Sequence, residues 1–512
     1  MEEIMKKYYI GIDIGTTSTK SILFDVNGKV VNKVTKGYPI YSDKPDFKEQ
    51  DPEEIFQAVL YTLESLIKES KVSSEQIQFI SFSSMMHSII AVDQNCKPLT
   101  KCIIWADNRS REFVKKFKKA GKGHELYLRT GTPCHPMSPF YKLLWLKYEQ
   151  NEIFNKSHKF ISIKEYIFYK LFNQYIVDYS IASATGMFNI FKLEWDKEAL
   201  GILDIDKDKL SKPVSTIFQI KNINKEYAQI TGLNEDTVFV VGASDGCLAN
   251  LGSKAIKKGI AAATIGTSGA VRVVFDKPVT DPKERVFCYV LTEDKYVVGG
   301  AINNGGIVYR WFKENFAEIE DIEAKKLNKE AYDILNEYIE EIEPGSKGLM
   351  FLPFLSGERA PYWDASLRGA FLGISDIHTK KHMTRALIEG ICFDMNEVFQ
   401  AIKDLVGEVQ GVYANGGFTR SEEWIKILAD IMDTNIRISE NYESSCLGAV
   451  MLGMLSIGIT DNLDRLDYMI DDFANYNVRK QNLNIYKDLE NIYKASVQAL
   501  KPINESLITF QK

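Results

Sequence analysis

The chain of 512 residues carries 63 Lys and Arg against 69 Asp and Glu, a formal charge of −6, and its length suits about three average domains or two large ones. With 45% hydrophobic and 26% charged residues it can bury sizeable cores, which excludes the disordered and fibrous classes. Its lysines are spread along the chain, so no concentrated basic surface for a nucleic-acid backbone is predicted, and small metabolites are the expected partners.

No apolar stretch reaches the roughly 18 residues needed to cross a bilayer. A strand-like run, Tyr8-Tyr9-Ile10-Gly11-Ile12, starts so soon after Met1 that no secretory or transit peptide is expected and the predicted location is the cytoplasm. The seven cysteines (96, 102, 134, 247, 288, 392 and 446) are scattered with no C-x-x-C spacing. That predicts reduced, mostly buried thiols rather than a zinc site or a disulfide framework.

In chain order, residues 12–25 come first: a β-branched run, the turn Gly15-Thr16-Thr17-Ser18, and a second apolar run ending at Asp25, which reads as a β-hairpin. Small and hydroxylated turn residues let backbone N–H groups and hydroxyls approach phosphate oxygens. The spacing is not that of a Walker A loop, and no G-x-G-x-x-G follows a strand, so neither a P-loop nor a dinucleotide fold is expected. Asp13 reads either as a carboxylate holding Mg²⁺ through water or as a solvent-facing strand residue. Residues 53–68 are periodic as an amphipathic helix and 79–82 as a strand. Three loops follow, built on Ser84-Met85-Met86-His87-Ser88, Trp105-Ala106-Asp107-Asn108-Arg109 and Thr132-Pro133-Cys134-His135-Pro136. Together they supply the donors, acceptors and apolar wall that a hydroxyl-rich ligand needs, although each alone fits ordinary loop chemistry.

Residues 238–241 form a buried-strand run that ends in Gly242-Ala243-Ser244-Asp245-Gly246 before a helix-like stretch. Asp245 is thereby delivered to the C-terminal end of a strand, where open α/β sheets place ligands. It reads equally as a helix cap and as a general base for a hydroxyl attacking a γ-phosphate, kept ionised by the helix N-terminus. Residues 263–276 then repeat 12–25 without a gap, Thr264 standing where Asp13 stood, 251 residues on. Two related α/β domains are predicted, 1–252 and 253–512, with the two hairpins facing each other across a cleft. Asn303-Asn304-Gly305-Gly306 precedes a helix near Val308, and Asn415-Gly416-Gly417 lies between a strand at 411–414 and a helix at 421–433. Such Gly-Gly turns bring backbone flat against a nucleotide or simply reverse the chain. Residues 314–343 read as exposed helices.

These motifs resemble, in order and from Gly11 to about Gly458, those of the FGGY family of carbohydrate kinases: Gly15-Thr16-Thr17, Met86-His87, Trp105-x-Asp107-x-Arg109, Gly242-x-Ser244-Asp245, Gly266-Thr267-Ser268 and Gly416-Gly417. The resemblance implies an α/β fold of two duplicated ribonuclease H-like domains, of the actin and hexokinase type, with an interdomain cleft. It implies Asp245 as the catalytic base and ATP contacts at Gly15, Thr16, Thr17, Gly266, Thr267, Ser268, Gly305, Gly416 and Gly417, with Mg²⁺ beside Asp13. The implied acceptor pocket is lined by Met86, His87, Trp105, Asp107, Arg109, His135, Lys164 and Asp245. The loops around His87, Trp105 and His135, with Ile163-Lys164-Glu165-Tyr166, look most like those of bacterial gluconate kinases, and xylulose kinases are the nearest competitors. The expected reaction is therefore phosphorylation of D-gluconate by ATP to 6-phosphogluconate, the alternatives being a pentulose or polyol kinase or an ATP-dependent sugar sensor. Retention of both Asp13 and Asp245 argues against the sensor. A carboxylate substrate calls for a cation or several N–H donors, and Lys164, His87, His135 and Arg109 are the candidates. The expected partner is a small sugar or sugar acid, with neither nucleic acid nor membrane, and a homodimer is left open.

Overall fold

The computed structural model describes residues 6–439 and 443–511, which divide into two compact units. The first comprises Met1–Lys257, Val274–Val297 and Glu443–Asp471, the second Lys258–Val273, Val298–Tyr442 and Asp472–Lys512.

The first unit is organised by strands β1 (Tyr8–Ile14), β2 (Ser18–Asp25), β3 (Val30–Gly37), β4 (Ile77–Ser84), β5 (Gln219–Ile220) and β6 (Phe239–Ser244). They lie in the order β5-β6-β4-β1-β2-β3. β1, β2 and β3 form an antiparallel meander, β4 and β6 run parallel to β1, and β5 is an antiparallel edge. β1 is central, and its side chains alternate between two buried faces as the period of a strand requires. Ile10, Ile12 and Ile14 pack with Ile55, Phe56, Val59 and Leu63 of the helix Pro52–Ser70. Tyr9 points the other way, into a cluster with Phe79, Val240, Leu447, Val450 and Met451, the last three from the helix Ser444–Ser456. The helix Pro52–Ser70 starts where Asp51 accepts the Glu53 N–H at 2.8 Å and Pro52 fills the first turn, and it stops at Lys71 in the left-handed region, as capping chemistry dictates.

The second unit uses β7 (Ile260–Ile265), β8 (Gly269–Phe275), β9 (Lys295–Ile302), β10 (Gly411–Asn415), β11 (Ile436–Ser439) and β12 (Asp472–Tyr476). Their order is β9-β8-β7-β10-β11-β12. β7 and β8 are antiparallel, β10 and β11 run parallel to β7, and β12 closes an antiparallel edge. The two sheets therefore share a ribonuclease H-like core, an antiparallel hairpin followed by two parallel strands. Their edges differ: β5 precedes its neighbour β6 in sequence, whereas β12 follows β11, and the second sheet has seven strands to the first sheet's six.

The repeat is not gapless in space. In the first hairpin Ile14 pairs with Thr19, but Ile265 pairs with Gly269, so the second turn is one residue shorter and the equivalence shifts by one after it. None of the seven cysteines forms a disulfide and all are buried, and no helix is long and apolar enough to cross a membrane among the described residues.

Candidate active site

Both Gly-Thr turns have their carbonyls occupied by protein donors. In the first, Tyr38 Oη donates to the Gly15 carbonyl at 2.6 Å, Gln50 Nε2 to that of Thr16 at 2.7 Å, and the Tyr38 N–H to that of Thr17 at 3.2 Å. The Gly15 N–H is itself taken by the Ser18 carbonyl at 3.0 Å, so the tip of the turn, with the exposed Thr17, is what is left to meet an anion. In the second, the N–H groups of Gly306 and Ile307 donate to the carbonyls of Gly266 and Thr267 at 2.7 and 3.0 Å. This sets the first turn of the helix Gly306–Phe316 against the hairpin. A Cβ on Gly305 would stand 2.6 Å from the Ser268 carbonyl carbon, and Gly416, at φ +107°, lies against the Ile265 carbonyl, so both positions require glycine. Gly266, Thr267, Ser268, Gly305 and Gly416, some 150 residues apart at the extremes, are thus one cluster, with Gly417 exposed beside it. Glu358 holds the Asn303-Asn304 segment in place, accepting from the Asn303 N–H and from Asn304 Nδ2 at 2.6 Å.

Asp13 is half-buried near the end of β1, where the buried Ser83 hydroxyl donates to its Oδ1 at 2.7 Å. Burial pushes this carboxyl above its ordinary range, so a nearby cation is what would keep it ionised. Asp245 begins the helix Asp245–Gly252 directly after β6, with Ser244 in the cap position. The helix-cap alternative for Asp245 is therefore not the one adopted: its Oδ1 accepts the N–H of the adjacent Gly246 at 2.7 Å.

The three acceptor loops all belong to the first unit. His87 is buried at φ +65°, its Nδ1 2.7 Å from the Ala184 carbonyl and its Nε2 3.5 Å from Tyr289 Oη. Met86 is half-buried beside it. Trp105 donates its indole N–H to Thr16 Oγ1 at 2.9 Å, which joins an acceptor loop to the first phosphate turn. His135 is half-buried, and its Nδ1 accepts the Met137 N–H at 3.1 Å.

Two of the expected cations are already neutralised. Lys164 Nζ lies 2.8 Å from Asp178 Oδ2, with side chains 2% and 0% exposed, and 3.3 Å from the Ala243 carbonyl. A buried ammonium without a counter-ion is costly, so Asp178 claims it, and Lys164 is not placed to balance a ligand carboxylate as expected. Arg109 likewise contacts Asp107 at 2.8 Å and Glu49 at 2.6 Å, its guanidinium lying over the rings of Phe47 and Trp145. Asp107, fully buried, also accepts the backbone N–H groups of Lys48 and Arg109. This pair fastens the Trp105 loop rather than presenting a charge, the structural alternative the sequence left open.

Sequence reasoning missed Tyr38, Gln50 and Glu358, whose roles depend on long-range pairing and carry no local signal. It also missed Lys142, which is fully buried and donates to the carbonyls of His87 and Ile104 at 2.6 and 2.7 Å. A signal for it existed, since it is a lone cation inside the apolar run Pro139-Phe140-Tyr141-Lys142-Leu143-Leu144.

Known proteins share this fold. Residues 8–252 match the N-terminal domain of the FGGY family of carbohydrate kinases and residues 261–457 its C-terminal domain. The gluconokinase of Bacillus subtilis (strain 168) is 49% identical over 490 residues, 96% of this chain and 95% of that protein. Among solved structures, a gluconate kinase from Lactobacillus acidophilus is similar with a TM-score of 0.93 and 36% identity, covering 98% of this chain and 100% of that one. A ligand-bound xylulose kinase from the same organism has a TM-score of 0.91 and 37% identity, covering 96% and 98%. Two duplicated sheets, paired Gly-Thr turns, an aspartate at the end of a parallel strand and both family domains in order converge on one conclusion: the chain belongs to the FGGY family of carbohydrate kinases.

Proposed function

We propose that this carbohydrate kinase phosphorylates D-gluconate, forming 6-phosphogluconate and ADP from ATP. The observation that carries the substrate is the 49% identity to a gluconokinase over nearly the whole of both chains. Solved structures of a gluconate and a xylulose kinase resemble the fold about equally, which supports a ketopentose as the second reading.

In this reading Asp245 takes the proton of the terminal hydroxyl as that oxygen attacks the γ-phosphorus and the bond to the ADP oxygen breaks. Its place at a helix N-terminus, with the Gly246 N–H on one oxygen, favours the anion that a base must be. Thr16, Thr17, Thr267 and Ser268 stabilise phosphate charge, and Gly15, Gly266, Gly305, Gly416 and Gly417 let backbone lie close to the nucleotide. Met86, His87, Trp105 and His135 line the acceptor site, which Asp107, Arg109 and Lys164 hold in shape. A carboxylate acceptor then relies on histidine and backbone N–H donors more than on a dedicated lysine or arginine.

Mg²⁺ fits the donor set. Among the described residues no group of three or more acidic, His or Cys side chains could hold a metal, and Mg²⁺ commonly takes one carboxylate, waters and substrate phosphates. Asp13 would hold it through water, and the ion would neutralise charge on the transferred phosphoryl group.

The test is ADP release with MgATP against gluconate, xylulose, glycerol, ribulose and water alone. Turnover with gluconate well above the rest is expected. Preference for a ketopentose would move the assignment to the second reading while leaving Asp245 in its role.

A further inference from the structure

Lys142 is 0% exposed on the helix Pro139–Glu149 and makes no ion pair among the described residues. Its three N–H bonds instead meet three backbone carbonyls: His87 at 2.6 Å, Ile104 at 2.7 Å and Ile103 at 3.5 Å. An ammonium buried without a contacting carboxylate costs stability, and an apolar side chain of similar volume is commonly neutral or better at such a site. The carbonyls it binds are not arbitrary. One belongs to His87, a non-glycine residue at φ +65°, a conformation that persists only when its surroundings over-determine it. The other two immediately precede Trp105, whose indole N–H reaches Thr16 of the first phosphate turn. The two loops are bridged by the reciprocal backbone hydrogen bonds of Ile89 and Ile103, and on either side of that bridge one side chain holds both and connects them, through Trp105, to Thr16.

We propose that Lys142 is a positioning residue for the phosphate acceptor, its ammonium clamping the His87 and Trp105 loops so that the acceptor hydroxyl is held for attack. The proposal rests on reading these loops as the acceptor site. Only the protonated amine has three N–H donors for three carbonyls, so charge as well as shape is required. Burial pushes the amine down, to about 7. Asp107 and the Cys102 thiol favour the charged form and Arg109 opposes it, while from its own loop His87 presents only its carbonyl.

The experiment is Lys142→Met, read by KM and kcat for whichever acceptor the wild type uses, KM for ATP, and thermal melting. The expected result is an intact fold with the acceptor KM raised at least about tenfold and the ATP KM within about twofold, because misplacement of about an ångström is sufficient for large losses in catalysis. Unchanged acceptor kinetics, or both KM values moving in proportion, would overturn the clamp. If the variant does not fold, the wild type decides: its acceptor KM is expected to rise with pH through the lysine's titration while the ATP KM stays level, and an acceptor KM flat from about pH 6 to about pH 10 would refute the proposal. Absence of acceptor-dependent turnover in the wild type is a separate failure, that of the kinase reading itself.

Discussion

Asp245 sits where a strand becomes a helix, and that junction is what suits it to a proton transfer. Asp245→Asn removes the base while keeping the shape and the acceptor for the Gly246 N–H, so kcat is expected to fall about 10²- to 10⁴-fold, with the ATP KM within about twofold. Steady-state ADP release checks it, and near-normal turnover would place the base elsewhere. The residues read as site candidates from sequence divide by what partners they find in space. Thr16 and Trp105 meet each other directly. Lys164 and Arg109 meet internal carboxylates, because a buried cation is stable only when compensated. Sequence marks a residue type but not its partner: Asp178 and Glu49 looked like ordinary acids until the chain folded.

At the scale of elements, helix ends and strand runs were legible because they are local. The helix expected at 421–433 spans Glu422–Met432, capped by Ser421 and ended by Asp433 in the left-handed region. The helix Ile163–Phe172 begins with a capping box in which Glu165 accepts the Ser162 N–H at 2.6 Å. Burial pushes the Glu165 carboxyl up to about 7. Because its folded pKa is raised, its contribution to stability is full below the unfolded value and is lost as pH rises through about 7. Between pH 5 and 8 the wild type is therefore expected to lose about 1–3 kcal/mol more than Glu165→Gln, by denaturant unfolding at each pH. Equal losses would show the group already ionised. Helix crossing, by contrast, is non-local. Gly448 packs against the backbone of Leu248, where the helices Ser444–Ser456 and Asp245–Gly252 meet. Gly448→Val is expected to cost about 1–3 kcal/mol and, since Asp245 opens one of these helices, to lower kcat as well; a melting curve and a rate check both.

For the whole molecule, the repeat announced duplication, and the structure realises it as two sheets that share one core. The first unit nevertheless draws on sequence from both halves. Leu447, Val450 and Met451 cover Tyr9, Phe79 and Val240, an apolar face that residues 1–252 cannot cover alone. A fragment of residues 1–252 is accordingly expected to aggregate or remain without cooperative melting, whereas adding 274–297 and 443–471 by a linked construction restores it; a soluble, cooperatively melting fragment would disprove this account. Sequence by itself determined the family, the duplicated α/β plan, the two Gly-Thr turns and the strand-end aspartate, because those follow from local periodicity, turn chemistry and motif order. Only the tertiary structure decided that the second turn is a residue shorter, that Lys164 and Arg109 are internally paired, and that Lys142 joins two acceptor loops. Register, charge compensation and burial depend on which distant segments come into contact, and no local pattern encodes that contact.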